Sequence, residues 1–297
     1  MPKEIQEELA EVVGEQSPKT ITNYSNMLTR LRKALMDNSP IKDISPDVLI
    51  KTIKGMDIPA TSKQSMNTVC IVIFKYHKLP VDKLIKFRDE LAEKSFDESK
   101  VKDTELHAKG ITLKKLTAFM NDAYANGEWV KFVVNYLLLT FQTRNEDLDL
   151  TITTNAKAVD GIHNWIVLKK ASCTYIRNHY KTVDTYGPKI VDIRNKKLIE
   201  ALSHILGDSK SEWLLKTGNS HIIHTELNRA VANQTFEKIG STKYFKILST
   251  SKKNIEKMSN NRGTDPSTIV HSYKMDKKVN LKKKKTDLVA DEELIKN

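Results

Sequence analysis

The sequence predicts a mainly helical protein with a small antiparallel β-sheet, an α+β fold. Apolar residues recur at helical spacing over residues 1–95 and again from about residue 196 onward. Between these parts, residues 165–193 contain short runs of β-branched and aromatic residues that are typical of strands. Only 10 Gly and 8 Pro occur in 297 residues, of which 39% are hydrophobic, and this excludes collagen-like and low-complexity chains.

Four helices are predicted in the first part of the chain. The pairs Ser17-Pro18 and Ser45-Pro46 each place a capping serine ahead of a first-turn proline, so a helix is expected to begin at each pair. A third helix is predicted over 61–76 and a fourth over 80–94, because both segments carry an apolar stripe at helical spacing. This part is therefore predicted to be all helical.

The composition changes after the fourth predicted helix. Residues 97–110 carry hardly any large apolar side chain, which predicts a linker between two domains. The domains are then a helical one over 1–96 and a larger, mixed one over 111–276. The remaining residues, 277–297, combine a lysine run with an acidic segment and are predicted to form a mobile tail.

The second domain begins with two predicted helices. Thr112 is predicted to cap the first, over 113–126, and the second runs over 127–143 and is so apolar that a central position is expected. Three β-branched and aromatic segments then predict the strands of a small sheet, after which helical periodicity returns. The predicted strands are 165–168, 173–176 and 189–193.

The charge balance indicates the kind of partner. Lys and Arg number 49 against 37 Asp and Glu, a formal net charge of +12 that favours a polyanion such as nucleic acid. The longest apolar stretches, such as 133–141, are far shorter than the roughly 20 residues that cross a bilayer. The polar first residues lack the apolar core of a signal peptide, so an intracellular protein without membrane spans is expected.

Several common classes of site are excluded by the residues present. The two cysteines, Cys70 and Cys173, lie far apart in apolar surroundings, so they predict buried free thiols rather than a disulfide framework or a four-ligand zinc site. The sequence contains no P-loop, dinucleotide-binding glycine motif, zinc-protease histidine pair or esterase serine motif. These absences exclude the commonest ATPases, dehydrogenases, zinc proteases and esterases.

Three segments of the second domain contain side chains that could carry chemistry. The apolar helix runs into Thr140-Phe-Gln-Thr-Arg144-Asn-Glu-Asp-Leu148, which places an arginine just after the helix. Tyr180-Lys181-Thr-Val-Asp-Thr-Tyr-Gly187 offers an amine before a predicted strand, and Gly263-Thr264-Asp-Pro-Ser-Thr-Ile-Val-His-Ser-Tyr273 ends in a phenol, a possible nucleophile. Each residue also has a non-catalytic interpretation. Arg144 could be a solvated residue after a helix, Lys181 an exposed residue of a hairpin, and Tyr273 a side chain that only packs in the core.

In this order, the segments resemble motifs of the tyrosine recombinases, also called phage-type integrases. That family has an apolar helix leading into Thr-Gly-Leu-Arg-x-x-Glu-Leu, a lysine on a β-hairpin, and Gly-His-Ser-x-x-x-Thr-Thr-x-x-Tyr with the same Gly-to-Tyr interval as here. The first motif fits with one extra residue before Arg144. The resemblance implies a catalytic domain in which Arg144 holds the scissile phosphate, Lys181 protonates the leaving 5′ oxygen, and Tyr273 attacks phosphorus to form a 3′-phosphotyrosyl link.

The sequence departs from the family at the remaining catalytic positions. Where the family has His-x-Leu-Arg, this chain has Lys243-Tyr-Phe-Lys246, and Thr264 replaces the His of the last motif. The resemblance implies that Lys243 and Lys246 stabilise charge in the transition state, although Lys lacks the bidentate fork of Arg. Arg262 is a further cation that could compensate, and a surface position is expected for it.

The first domain resembles the helical core-binding domain with which recombinases close on DNA. The segment Thr20-Ile-Thr-Asn-Tyr24-x-x-x-Leu28-x-x-Leu31-Arg32 has the form of its first helix. A DNA clamp is therefore expected, in which basic side chains contact phosphates and set affinity but not sequence preference. The side chains expected to do so are Lys19, Arg30, Arg32, Lys33, Lys63 and Lys75.

These resemblances imply a site-specific recombinase or integrase of a mobile element or virus, which cuts and rejoins double-stranded DNA. A dimer on one DNA site and a tetramer in the synapse are implied, and no membrane partner is expected. Neither a metal nor a nucleotide cofactor is required, because side chains supply the nucleophile, the acid and the cations. The expected location is an intracellular compartment that contains DNA.

Other functions remain compatible with the sequence. The missing Arg and His favour a catalytically silent DNA-binding or architectural protein that keeps the recombinase fold. Charge and composition alone also suit an unrelated basic helical protein of a virus particle or replication complex. A type IB topoisomerase would share the chemistry but act alone and without site preference.

Overall fold

The computed structural model describes Leu9, Val12 and residues 18–215, 224–251 and 254–273. The chain divides into two compact units, Met1–His107 and Ala108–Asn297, and the division falls inside the segment predicted as a linker. The predicted tail, 277–297, lies outside the described residues, as do Ser17 and the side chain of Lys19.

The first unit is helical, and the start of its second helix has the predicted cap. Ser45 Oγ accepts a hydrogen bond from the Val48 amide at 3.4 Å, and Pro46 occupies the first turn, where its missing N–H is not needed. The helices are α1 (Pro18–Leu35), α2 (Pro46–Gly55), α3 (Ala60–Tyr76) and α4 (Asp82–Ala108), with a 3₁₀ turn at Ile41–Asp43. Their apolar stripes meet in a core that includes Leu28, Leu31, Leu49, Ile53, Val69 and Phe87.

Helix α4 differs from the sequence-based expectation. It continues from Asp82 through Ala108, whereas the pattern predicted a helix end near residue 94 and a linker over 97–110. The helix contains neither Gly nor Pro and is rich in Glu, Lys, Leu and Ala, whose helix propensity is high even where few apolar residues can be buried. The scarcity of large apolar residues therefore indicated an exposed helix rather than an irregular segment.

The second unit begins with the predicted capped helix, since Thr112 Oγ1 accepts a hydrogen bond from the Lys115 amide at 3.3 Å. Its helices are α5 (Leu113–Ala125), α6 (Trp129–Phe141), α7 (Val183–Tyr186), α8 (Lys196–Leu206), α9 (His224–Gln234), α10 (Ser241–Ser251), α11 (Ile255–Arg262) and α12 (Pro266–Thr268). A π-helical turn follows at Ile269–Tyr273. The 3₁₀ turns are Asn145–Leu148, Ala156–Ala158 and Phe236–Lys238.

Within the described residues, five strands form one sheet in the order β4-β3-β2-β1-β5. The strands are β1 (Leu150–Thr153), β2 (Asn164–Leu168), β3 (Cys173–Arg177), β4 (Lys189–Ile193) and β5 (Ser211–Trp213). The predicted class, mainly helical with a small sheet, is confirmed. The sheet is mixed rather than antiparallel, because β1 and β2 run parallel and are joined by a crossover instead of a hairpin.

Helix α6 is the centre of the second unit, as its composition predicted. Its residues from Phe132 to Phe141 are all buried, which explains why apolar side chains occupy every face. The side-chain amide of the buried Asn135 donates to the Gln234 carbonyl at 2.7 Å, so this polar group is satisfied inside the core. The end of α6 delivers the chain directly into the candidate site.

Two smaller expectations can be compared with the described residues. Cys70 and Cys173 are buried free thiols, as expected. Among the helices that the structure describes, none is long and apolar enough to cross a membrane.

Candidate active site

The candidate site begins where α6 ends. Gln142 has left-handed backbone angles, φ 52° and ψ 37°, and its side-chain amide donates to the carbonyls of Leu139 and Thr140 at 3.0 and 2.9 Å. These bonds satisfy carbonyls that a helix end leaves without partners, and the left-handed residue reverses the chain. The half-buried Arg144 follows, and its amide donates to Asp147 Oδ2 at 2.7 Å. The backbone of Arg144 is therefore fixed by its own turn.

The Arg144 side chain reaches a segment that lies 118 residues further along the chain. Its Nη1 donates to the Arg262 carbonyl at 2.7 Å, and its Nη2 donates to Thr264 Oγ1 at 2.8 Å. Thr264 is itself buried. Arg144 and Thr264, both predicted as site residues, are thus in direct contact.

A buried ion pair lies beside Arg144. Arg177 ends β3, and its Nη2 is 2.5 Å from Asp147 Oδ2, with both side chains fully buried. Its Nη1 donates to the Asn261 carbonyl at 2.6 Å, which joins the sheet to α11. Because Asp147 Oδ2 also accepts the Arg144 amide, this carboxylate ties the Arg144 turn to the end of β3.

Tyr273 ends the π-helical turn, a rare geometry that is frequent at functional sites. Its ring packs edge-on against Phe245, with the ring centroids 4.9 Å apart, and its carbonyl accepts a hydrogen bond from Ser249 Oγ at 3.0 Å. Its half-buried side chain lies beside Arg262, whose guanidinium carbon is 5.5 Å from the ring centroid. The predicted nucleophile is therefore held by α10 and lies beside an arginine.

The surface position expected for Arg262 was wrong, since this side chain is 2% exposed. Its guanidinium carbon lies 4.0 Å from the Phe245 ring centroid and 5.5 Å from that of Tyr273, while Nη1 donates to the Gln142 carbonyl at 3.0 Å. Burial and the nearby Arg144 charge lower the pKa of Arg262. An arginine nevertheless stays charged at neutral pH, so a buried cation lies against the candidate nucleophile.

The three predicted lysines have different surroundings. Lys181 is exposed and lies in the connection from β3 to β4, which contains α7 and is longer than the hairpin that the resemblance implies. Lys243 is exposed in the first turn of α10. Lys246 is half-buried directly after Phe245, on the helix that packs against Tyr273. Their catalytic roles remain predictions.

The site has an excess of positive charge. Asp147 is paired with Arg177, and within the described part of the chain no ion pair joins Arg144, Arg262 or Lys189 to a carboxylate. Burial is the largest cause that lowers the pKa of Lys189 and of Arg262, and the Arg144 charge lowers both further. Buried charge without an opposite partner is costly, and an anionic ligand would relieve that cost.

The sequence analysis did not predict that Arg177, Lys189 and Arg262 point inward. Their positions in the repeat of a strand or helix nevertheless indicate it. In β3 the buried Tyr175 precedes Arg177 by two positions, so the alternation of a strand turns Arg177 inward. In β4 the same alternation places Lys189 on the face of the buried Val191. Arg262 lies on the buried side of α11. A charged residue at a position that the repeat turns toward the core therefore indicates a candidate site residue.

Gly263 allows the Arg262–Thr264 segment to pack closely against the β3–β4 connection. It has a φ of +61°, and a Cβ at this position would lie 2.8 Å from Thr182 Oγ1 and 2.9 Å from Tyr180 Cε2. Thr182 Oγ1 also donates to the Gly263 carbonyl at 2.6 Å. Both the backbone angle and the approach therefore require glycine.

Gly263→Ala is expected to lower the free energy of unfolding more than Gly110→Ala does. The two glycines have φ values of +61° and +59°, so each variant carries a left-handed cost of about 1–2 kcal/mol. A Cβ at Gly110 meets only Lys115 Nζ at 3.5 Å, whereas one at Gly263 must also displace Thr182 and Tyr180. Urea unfolding measures both losses, and equal losses would contradict the close packing described here.

The cations predicted to bind DNA in the first unit differ in exposure. The exposed ones are Arg30, Lys33 and Lys75. Lys63 is half-buried and its Nζ donates to the Lys54 carbonyl at 2.8 Å. Arg32, expected at the surface, is only 6% exposed, because it lies next to the fully buried Leu31 on the core side of α1. It is therefore poorly placed for a phosphate contact.

Comparison with known proteins found little similarity. No protein-family model and no curated protein sequence matches this chain. The chain is similar to the crystal structure of XerA recombinase, with 12% sequence identity and a TM-score of 0.33 over 91% of this chain and 92% of that chain. At this identity and TM-score the similarity carries no information about the function of this chain.

Proposed function

We propose that this protein is a site-specific DNA recombinase that cuts and rejoins double-stranded DNA through a 3′-phosphotyrosyl intermediate. The observation that supports it most is the position of the buried Arg262 guanidinium, whose carbon lies 5.5 Å from the Tyr273 ring centroid, in a segment whose backbone is held by Arg144. A phenol attacks phosphorus more readily when nearby cations favour its negative charge. Cations at buried positions are weakly screened by water, so their effect on the phenol is strong.

The proposed reaction needs only side chains. Tyr273 Oη attacks the scissile phosphorus, and the new P–O bond forms as the P–O5′ bond breaks. The phenolic proton passes to water, and the leaving 5′ oxygen takes a proton from a lysine side chain, the role that the motif resemblance gives to Lys181. Arg144 binds the non-bridging phosphate oxygens, with Lys246 adding charge from α10. Rejoining reverses these steps and conserves the phosphodiester energy, so no nucleotide is consumed.

The remaining predicted residues are proposed to complete this arrangement. Thr264 Oγ1 accepts from Arg144 Nη2 and so holds that guanidinium at the site until DNA binds. Lys243, exposed on α10, contributes a further positive charge near the DNA. The first unit contributes phosphate contacts from exposed cations of α1 and α3. A dimer on one DNA site and a tetramer in the synapse complete the proposal.

Duplex DNA binding is expected to weaken steeply as salt rises. Each phosphate contact made by a cation such as Arg30 or Lys33 releases a counterion, so the logarithm of affinity should fall linearly with the logarithm of salt concentration. Arg30→Gln and Lys33→Gln should each reduce the slope by about one. Filter binding across salt concentrations measures these slopes. An affinity that does not change with salt would contradict both the clamp and the proposed reaction.

A second candidate is a DNA-binding protein that does not cut. Two observations favour it: Arg144 already donates to the Arg262 carbonyl and to Thr264, and Arg262 is only 2% exposed. A phosphate would have to displace these contacts before either guanidinium could bind it. Such a protein would keep the salt-dependent affinity and lack the covalent intermediate.

A covalent adduct distinguishes the two candidates. The protein is incubated with a pool of end-labelled, nicked duplexes whose sequence is randomised around the nick, so that no target needs to be known. A labelled band that survives denaturing electrophoresis and disappears after protease treatment supports the recombinase. Binding to the pool without any such band at any salt concentration would favour the silent binder. Sequencing of the adduct identifies the preferred site.

A further inference from the structure

Lys189 lies beside the candidate site, although no role was predicted for it. It opens β4 directly opposite Arg177 of β3, the residue that is paired with Asp147. It shares the inward face of β4 with Val191 and is half-buried. Lysines at such positions usually extend their amine toward water. Here the amine instead donates a hydrogen bond to the Asn260 carbonyl.

The groups that contact the Lys189 amine lie close in sequence or in space to Gly263 of the candidate site. Asn260, its hydrogen-bond acceptor, lies shortly before Gly263 in the chain. Nζ is 5.6 Å from the Tyr186 ring centroid and 5.8 Å from that of Tyr180. Tyr180 also packs against Gly263. The amine is thus held at a defined place beside the Asn260 carbonyl and the rings of Tyr180 and Tyr186.

The charges around this amine favour release of its proton. Burial and then the positive charges of Arg177 and Arg144 lower the pKa of Lys189 to about 8, against the opposing effect of Asp147. The other titratable side chains that face the amine are those of Tyr180 and Tyr186. A group that must give up a proton and later take it back works best when its pKa lies near the working pH.

We propose that Lys189 is the residue that protonates the leaving 5′ oxygen, an inference that depends on the proposed recombinase function. In cleavage, Nζ gives its proton to O5′ as the P–O5′ bond breaks and the bond from Tyr273 Oη to phosphorus forms. In rejoining, the neutral amine takes the proton of the 5′-hydroxyl as that oxygen attacks phosphorus. Lys181, the donor predicted from the sequence, is the rival, and its amine lies in an exposed connection.

The role of Lys189 is tested by replacing the bridging 5′ oxygen of the DNA, the leaving atom, with sulfur. Lys189→Met keeps an unbranched stem without an amine, and it is expected to slow adduct formation about 100- to 10,000-fold on the ordinary oxygen linkage. On the same target with a bridging 5′-sulfur, the variant is expected to match the wild type. A thiol has a pKa of about 8.5, so the sulfur leaves without a proton. Lys189→Arg should behave like Lys189→Met, since a guanidinium keeps its proton.

The outcomes separate a proton donor from a residue that only supports the fold. Slow reaction of Lys189→Met on both linkages would overturn the proposal, because a structural defect is not corrected by sulfur. The proposal would also be overturned if Lys181→Met alone showed the loss and the sulfur rescue. If the wild type forms no adduct on either linkage, the recombinase function fails and this inference fails with it. If the wild type forms the adduct, the recombinase function stands, and the variants then test the role of Lys189 alone.

A pH profile of the wild type tests the same role without a variant. The donor must be protonated to act, so the rate on the oxygen linkage should fall about tenfold per pH unit above the Lys189 pKa of about 8. The rate on the sulfur linkage should not fall over the same range. Parallel profiles for the two linkages would overturn the proposal.

Discussion

Tyr273→Phe is expected to abolish the covalent protein–DNA adduct completely, because the variant lacks the oxygen that would bond to phosphorus. The Phe ring can keep the edge-on packing with Phe245, so DNA affinity should be unchanged. Denaturing electrophoresis with the nicked duplex pool measures the adduct, and filter binding measures the affinity.

Tyr244→Phe is the matched control for the loss of one phenolic oxygen. The Tyr244 hydroxyl is buried, donates to Asn135 Oδ1 and accepts the Phe236 amide at 3.0 Å, and its burial raises its pKa. Such a phenol has no access to DNA, so Tyr244→Phe should lose stability but keep the adduct. An adduct that persists in Tyr273→Phe and vanishes in Tyr244→Phe would mean that the nucleophile has been assigned to the wrong tyrosine.

Asp147→Asn is expected to lower the free energy of unfolding by about 3–5 kcal/mol, because it leaves the fully buried Arg177 charge without its carboxylate. The Arg144 amide loses its charged acceptor as well, so adduct formation should fall together with stability. Urea unfolding monitored by circular dichroism measures the first effect, and the adduct assay measures the second at a temperature where the variant is folded.

Two further variants show whether burial of the charge is the cause. Glu128→Gln breaks a pair with Lys131 whose side chains are 44% and 23% exposed, and it should cost only about 0–1 kcal/mol. The double variant Asp147→Leu with Arg177→Met removes both charges of this buried pair and should recover most of the lost stability. It should not recover the adduct, because the Arg144 amide still lacks its acceptor. A double variant as unstable as Asp147→Asn would contradict this explanation.

Short-range features of the sequence predicted much of the fold correctly. Ser45 and Thr112 were recognised as caps because a capping side chain bonds to an amide three residues ahead, a contact that needs no tertiary structure. Helix α6 was recognised as central because a helix buried on all sides must be apolar on all sides. The parallel pairing of β1 with β2 was missed because β1, only four residues long, was not recognised as a strand.

For the candidate site, the sequence by itself determined the chemical groups and their order along the chain, with Arg144 first and Tyr273 last. That Arg144 contacts Thr264 agrees with the motif spacing, but the contact depends on how Gln142 reverses the chain. Only the tertiary structure decided which further cations lie at the site. The packing of α11 places Arg262 beside the Tyr273 ring, and the packing of β4 places Lys189 beside Asn260. Both side chains donate to backbone carbonyls distant in sequence. A carbonyl acceptor is the same at every residue, so no pattern of side chains in the sequence specifies such a partner.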